Sequence, residues 1–309
     1  MFLNVQKIET KNLTWIDISN PGEREIKYLK EKFNFNDIHL EDCKATIQRP
    51  KLDTSNNYIF MVLLFPVYNK KTRKIRPSEV DFFISSDYLV TVHRNDLSPI
   101  MNFFNLCNIS KSKREKYFTG NPATLLYEIL NRLLKYCGPI MDKLSLNISS
   151  IEEHVFKGYE RRMVKEILIS KINIVNFRKI MQVHKRVITK LLNKSSLFFS
   201  TSRVKVYFEE LVGTSSEIWQ QLENMRQSIT AIERTNNSLI SFQLNDIIKI
   251  LTTISVLILP ISLLSNLLSM NLEYMPSFTK SPISFWAIIG TMVLIFTFMI
   301  FLFKKKKWL

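Results

Sequence analysis

Cysteine is scarce in this chain of 309 residues: Cys43, Cys107 and Cys137 stand far apart. An odd number with no CxxC pair gives neither a disulfide framework nor a zinc spacing, so the three read as reduced thiols of a cytosolic part. The four histidines, His39, His93, His154 and His184, form no ligand motif. There is no GxGxxG or GxxxxGK[ST] phosphate loop, no HExxH and no nucleophile elbow. Isolated acidic residues form no catalytic set, so neither an enzyme nor an organic cofactor is expected. The opening MFLNVQKIET lacks a long apolar run, and no signal peptide is expected. Negative charge is also in deficit, with 27 Asp+Glu against 43 Lys+Arg and a formal net charge of +16. Such an excess permits binding to nucleic acid or to anionic lipid. The basic residues are spread along the chain, however. No cluster is interleaved with aromatics as a nucleic-acid groove requires, so nucleic acid is not an expected partner.

Charge is missing altogether from residues 283–303. Those 21 residues would rise about 31 Å as a helix, close to the roughly 30 Å hydrocarbon thickness of a bilayer. A second apolar run covers residues 250–268, with Lys249 before it and Pro260 inside it. Membrane helices tolerate such a proline better than soluble ones do. The connector, residues 269–282, is too short to be a domain, so residues 247–309 are predicted to form a transmembrane hairpin. Lys304, Lys305, Lys306 and Lys307 follow the second span directly and form a basic tail over residues 304–309. Four lysines beside a span remain on the cytoplasmic side. Both termini are therefore expected in the cytoplasm of a multi-pass protein of the inner or plasma membrane, with the lipid bilayer as a partner. Trp286 and Trp308 suit the two interfacial zones.

Residues 1–121 read as a cytosolic α/β domain. LTWIDI, NYIFMVLLFPVY, EVDFFISS and YLVTVHR are rich in β-branched and aromatic residues and predict strands of a mixed or antiparallel sheet. PGEREIKYLKEKFN places Ile26, Leu29 and Phe33 at helical spacing. Residues 122–246 are predicted helical. Leu125, Leu126, Ile129, Leu130, Leu133 and Leu134 form one apolar face, and residues 167–192 alternate such a face with Lys and Arg. From Val204 to Pro260 the only glycine is Gly213 and there is no proline. One stalk helix could run through Leu268, reaching roughly 100 Å. Several shorter helices, with turns near Gly213 and Asn236–Asn237, are the alternative.

Asn245, Ile248, Thr252, Ser255, Leu259, Ser262, Asn266 and Ser269 recur at intervals of three or four, and six of the eight are polar. In a bilayer such a stripe faces other helices or water. Several copies around an axis can enclose a pore, so a cyclic homo-oligomer is expected. Uncharged hydroxyls and amides can hydrogen-bond a hydrated cation without gripping it, as conduction requires. Ile248 and Leu259, with Leu251, would be apolar constrictions. Close helix packing by small polar residues is the competing explanation.

Ser269–Met270–Asn271, followed by Leu272–Glu273–Tyr274–Met275–Pro276, resembles the Gly-Met-Asn signature loop of CorA-type magnesium channels. Thr14–Trp15–Ile16–Asp17, Leu40–Glu41–Asp42, Gln48–Arg49–Pro50–Lys51, Tyr207–Phe208–Glu209–Glu210 and the basic tail are similar to family motifs in the same order. The resemblance implies a funnel-shaped homopentamer that conducts divalent cations inward, Mg²⁺ first and Co²⁺ or Ni²⁺ besides. The first spans would line the pore. Ser269, Met270, Asn271 and Glu273 would form the selectivity loop, and Lys304 to Lys307 a cytosolic basic ring. It also implies regulatory Mg²⁺ between neighbouring cytosolic domains, held by Asp42 and Glu210, since facing carboxylates repel unless a cation bridges them. Five Asn271 amides could accept hydrogen bonds from a hydrated Mg²⁺, which sheds water reluctantly. Glu273 would concentrate cations at the mouth.

The sequence departs from the family at Ser269, where the signature has glycine. At positive φ a serine would cost roughly 1–2 kcal/mol per chain, on the order of 5–10 kcal/mol over five chains. A different loop conformation avoids that strain. A zinc or other divalent transporter, or a membrane-anchored metal-sensing scaffold that does not conduct, are the alternatives.

Overall fold

The structure is a computed structural model that describes residues 4–44, 47–118, 121–194, 202–270 and 282–306. The chain divides into two compact units, Met1–Glu233 and Arg234–Leu309.

The first unit is built on six strands: β1 (Val5–Glu9), β2 (Thr14–Ser19), β3 (Lys51–Thr54), β4 (Ile59–Asn69), β5 (Lys74–Ile84) and β6 (Tyr88–His93). Their order in the sheet is β1-β2-β6-β5-β4-β3. The sheet is mixed: β2 and β6 run parallel and every other neighbouring pair is antiparallel. A parallel pair requires a crossover, and the chain between β2 and β6 supplies α1 (Glu23–Phe33), α2 (Asp37–Lys44) and the β3–β5 meander.

Alternation along the strands sends apolar side chains to both faces. Ile16, Ile18, Phe60, Val62, Phe83, Val90 and Val92 pack with Ile26, Leu29, Leu40 and Cys43 of α1 and α2. The opposite face carries Trp15, whose ring centroid lies 5.4 Å from Phe103 and 4.9 Å from Phe104 of α3 (Ser98–Ile109). Asp17 is buried on that same face but not unpaired. It accepts a hydrogen bond from Thr91, and His93 Nε2 lies 3.2 Å from its carboxylate, while Trp15 Nε1 donates to Thr91 at 3.0 Å. The network ties β2 to β6 across their parallel seam.

After α4 (Lys111–Tyr117) the unit becomes helical. Pro122 opens α5 (Pro122–Phe156), and the Asn121 side chain accepts from the Ala123 amide at 2.9 Å, a standard N-cap. The six leucines and isoleucine positions read as one face, Leu125 to Leu134, are all buried. Gly158, at φ +86°, turns the chain into α6 (Glu160–Met181). β5 outruns β6: only Val80–Ile84 pair with it, so its first half presents an open edge. Asn173 of α6 closes that edge. Its Oδ1 accepts from the Ile75 amide at 2.9 Å and its Nδ2 donates to the Arg73 carbonyl at 2.8 Å. Buried backbone groups are thereby satisfied by a side chain where no strand is available. α7 (His184–Lys194) follows.

α8 (Ser202–Leu268) is one helix of 67 residues, unbroken at Gly213, at Asn236–Asn237 and at Pro260. The alternative of several shorter helices does not occur. In the first unit α8 is fastened by an Arg178–Glu223 ion pair of 2.5 Å and a Lys171–Glu233 pair of 2.6 Å. The second unit holds the rest of α8 and α9 (Pro282–Lys305). Both helices are long and apolar enough to cross a membrane, with mean hydropathy of 2.3 and 2.4 in their most apolar windows. Their large apolar residues are exposed, among them Ile250, Ile254, Ile258, Phe285, Val293 and Phe298. A water-facing surface of this kind would be costly at about 25 cal/mol per Å², whereas a lipid solvent removes the cost.

Candidate functional site

Asn245, Ile248, Leu251, Thr252, Ser255, Leu259, Ser262 and Asn266 all lie on continuous helix and all are exposed in the single chain. At 100° per residue they hold to one side of the helix, while Ile250 and Ile254 lie on the other. Ser255 Oγ donates to the Leu251 carbonyl at 2.9 Å. That bond uses the hydroxyl proton and leaves the oxygen lone pairs facing outward as acceptors. The waters around a divalent cation bind it through oxygen and present hydrogens outward. An outward-facing hydroxyl acceptor such as Ser255 therefore suits a hydrated cation without requiring a charge.

Ser269 closes the helix. Its amide donates to Ser265 and Asn266 carbonyls at 3.1 and 3.2 Å, and its Oγ to the Ser265 carbonyl at 2.8 Å. Met270 N donates to Leu267 at 3.4 Å, so the last turn tightens toward i→i+3 bonding. Among the described residues, those at positive φ are Asn20, Asn34, Ile47 and Arg73 with Gly158; Ser269 is not among them. The strain considered for a serine here does not arise, because the residue continues the helical turn. Met270 is exposed. Asn271 and Glu273 lie outside the described residues, as does Lys307. Lys304, Lys305 and Lys306 are exposed at the end of α9.

Asp42 and Glu210, both in the first unit, have separate partners. Asp42, near the end of α2, lies 2.6 Å from Lys51 Nζ on β3, and the same ammonium is 3.3 Å from Asp53. Burial lowers the Lys51 pKa, but the hydrogen bonds and charges of Asp42 and Asp53 outweigh it and hold the amine above its ordinary value. Lys51 also sits over the Phe60 ring, 5.5 Å from its centroid. Glu210, on α8, accepts a hydrogen bond of 2.8 Å from Tyr127 of α5, whose ring stacks on Tyr207 at 4.7 Å. Burial and that carboxylate together push the Tyr127 phenol up. Among the described residues, no group of three or more His, Cys, Asp or Glu side chains is arranged to hold a metal ion. One chain alone therefore does not build a regulatory metal site from Asp42 and Glu210. Sequence reasoning names both carboxylates and admits pairing with nearby lysines, but it does not single out Lys51, which stands in the quoted Gln48–Lys51 motif, or Tyr127.

Comparison with known proteins covers both units. The model of the CorA-like Mg²⁺ transporter protein family matches residues 10–305. The chain is 23% identical over 301 residues to the cobalt/magnesium transport protein CorA of Methanocaldococcus jannaschii, covering 97% of this chain and 93% of that one. It is 25% identical to the cobalt/magnesium transport protein CorA of Thermotoga maritima, covering 96% and 83%. The complete structure of the M. jannaschii CorA magnesium transporter superposes with a TM-score of 0.84 at 21% identity, covering 100% of this chain and 99% of that one. A match over nearly the whole length, from the sheet through both apolar helices, makes this chain a member of the CorA-like family of Mg²⁺ and divalent-cation transporters.

Proposed function

We propose that this chain is the subunit of a divalent-cation channel, Mg²⁺ first and Co²⁺ or Ni²⁺ besides, in which several α8 helices line one aqueous path. The observation that carries this reading is the uncharged stripe from Asn245 to Asn266, exposed in the single chain and directed by Ser255 toward acceptor chemistry. One helix cannot enclose a path, so the stripe calls for a cyclic assembly. Five copies is the number the family resemblance implies. Asn271 follows the closing turn at Ser269 and Met270, and a ring of its amides would accept hydrogen bonds from the cation's water shell. Glu273 would raise cation concentration at that mouth. Inward movement is driven by the membrane potential, about 2.3 kcal/mol per elementary charge per 100 mV. Both termini face the cytoplasm in this reading, as the lysines after α9 require.

Gating by cytosolic Mg²⁺ belongs to the same proposal. A cation bridging Asp42 of one copy and Glu210 of the next would hold the copies together, and its loss would let them part. Lys51 already neutralises Asp42, so the bridging ion must displace an ammonium.

Reconstituted vesicles test the reading. Parent protein takes up Mg²⁺, and Asn271→Ala abolishes the uptake. Uptake by the variant equal to the parent removes Asn271 from the selectivity site. Vesicles that pass none of Mg²⁺, Co²⁺, Ni²⁺ or Zn²⁺ support the non-conducting sensor instead, while Zn²⁺ alone favours the zinc reading.

A further inference from the structure

The second unit holds a pocket of about 240 Å³ lined by Lys249, Thr252, Thr253, Val256 and Phe303. Four of these residues belong to α8 and one to α9, so the pocket lies where the two helices flank each other. Lys249 is the last charged residue before the first span, and Phe303 is the last apolar residue before the lysines. Because both line one pocket, the polar-to-apolar boundaries of the two helices stand at one level. That level is where a bilayer places its headgroups, given the membrane-spanning reading on which this inference rests.

The lining is graded to match. Val256 and Phe303 make an apolar wall, Thr252 and Thr253 add hydroxyls, and Lys249 adds an ammonium. Thr253 is the one side chain of this stretch that is buried, at 5% exposure, so it forms the pocket's floor rather than a lipid-facing surface. Lys304, Lys305 and Lys306 stand exposed immediately beyond Phe303. The pocket borders the stripe and shares Thr252 with it. Lys249, Thr253 and Val256 sit about 100° around the helix from the stripe's centre, with Thr252 at its margin.

We infer that this pocket holds one anionic phospholipid, its phosphate at Lys249 and the lysines after Phe303, and its glycerol and upper acyl segments against Thr253, Val256 and Phe303. Basic residues next to a span attract anionic headgroups, and each lysine near the surface contributes enough to change retention about fivefold. A free phosphate ion would use the lysines but gain nothing from the apolar wall, which is why a lipid is the occupant chosen here. A zwitterionic lipid would find no unbalanced charge to match the lysines.

The test uses the full chain. Protein is first floated with phosphatidylcholine vesicles. Failure to float removes the membrane reading itself, independently of the pocket. Floated protein is then extracted into detergent, stripped of lipid, titrated with phosphatidylglycerol or phosphatidylcholine, and read for bound lipid by native mass spectrometry. Parent protein retains phosphatidylglycerol at least about fivefold better than phosphatidylcholine. Lys249→Gln lowers that preference about fivefold, and Val256→Trp, which fills the pocket with its charge intact, lowers retention of phosphatidylglycerol as strongly. Lys111→Gln, in the cytosolic unit, leaves both lipids unchanged. Equal retention of the two lipids by the parent overturns the proposal. So does phosphatidylglycerol retention that survives Val256→Trp, or displacement of the lipid by millimolar inorganic phosphate.

Discussion

Lys51 stands between Asp42 and Asp53, 2.6 Å from the first carboxylate and 3.3 Å from the second. The amine is raised above its ordinary pKa by those partners and remains charged throughout the physiological range. It therefore occupies the place at Asp42 that a bridging cation would take.

Replacing that lysine should make the first unit more sensitive to Mg²⁺. In Lys51→Met the Asp42 carboxylate is released, and the concentration of Mg²⁺ that protects the protein from limited trypsin digestion falls about fivefold relative to the parent. Stability without Mg²⁺ drops by about 1 kcal/mol, since the partly exposed ion pairs of Lys51 with Asp42 and Asp53 are lost. Identical Mg²⁺ titrations for parent and variant would remove Asp42 from the regulatory proposal.

Water access along α8 can be read with thiol chemistry, because the native cysteines are silent. Cys43, Cys107 and Cys137 are all buried. Burial raises all three thiols, Cys107 to about 11 and Cys137 to about 12. At neutral pH almost no thiolate is available to react. Single substitutions Ser255→Cys and Ser262→Cys should then be labelled in vesicles by a charged, water-soluble thiol reagent. Ile250→Cys and Ile254→Cys, on the far side of the helix, should not. Labelling on both faces, or on neither, contradicts an aqueous path lined by the stripe.

Periodicity made some of this legible and left the rest hidden. The strands β2, β4 and β6 announce themselves by runs of Trp, Ile, Phe and Val. β1 (VQKIE) and β3 (KLDT) do not, because they are short edge strands with charged residues, and pairing with Ile18 or Val62 decides them. β5 begins at Lys74, well before the apolar run from Glu79, because it stays paired with β4 back to Asn69, while Asn173 of α6 satisfies its other edge at Ile75. Such a partner is distant in sequence and leaves no local signal. The α8 stripe was legible because helical spacing is a property of the sequence alone. The Lys51–Asp42 and Tyr127–Glu210 contacts were not, since each joins two elements whose packing the sequence does not display.

The last expectation concerns acid. His184 is fully buried on α7, with its ring edge-on to Phe65 at 5.1 Å. Nδ1 lies 3.1 Å from the Ile180 carbonyl, which it can meet only as a donor, and Nε2 has no hydrogen-bond partner. Burial pulls its pKa down to about 4. The unfolded chain protonates this histidine near its ordinary value of about 6.5, whereas the folded chain resists until about 4. Between those values the unfolded state binds more protons, so stability is full above pH 6.5 and falls as the solution is acidified toward pH 4. The fall attributable to this one group is about 2–3 kcal/mol across the interval. Burial also raises the Glu79 and Asp81 carboxyls, which parent and variant share. His93 acts in a different window: burial lowers it, but Asp17 outweighs burial and holds its pKa up, so its contribution is present below pH 6.5 and lost above. Comparing the parent with His184→Gln in denaturant melts of the first unit, at pH 7 and pH 5, cancels the shared groups. The variant should lose less stability on acidification than the parent, and equal losses would show that His184 protonates without penalty.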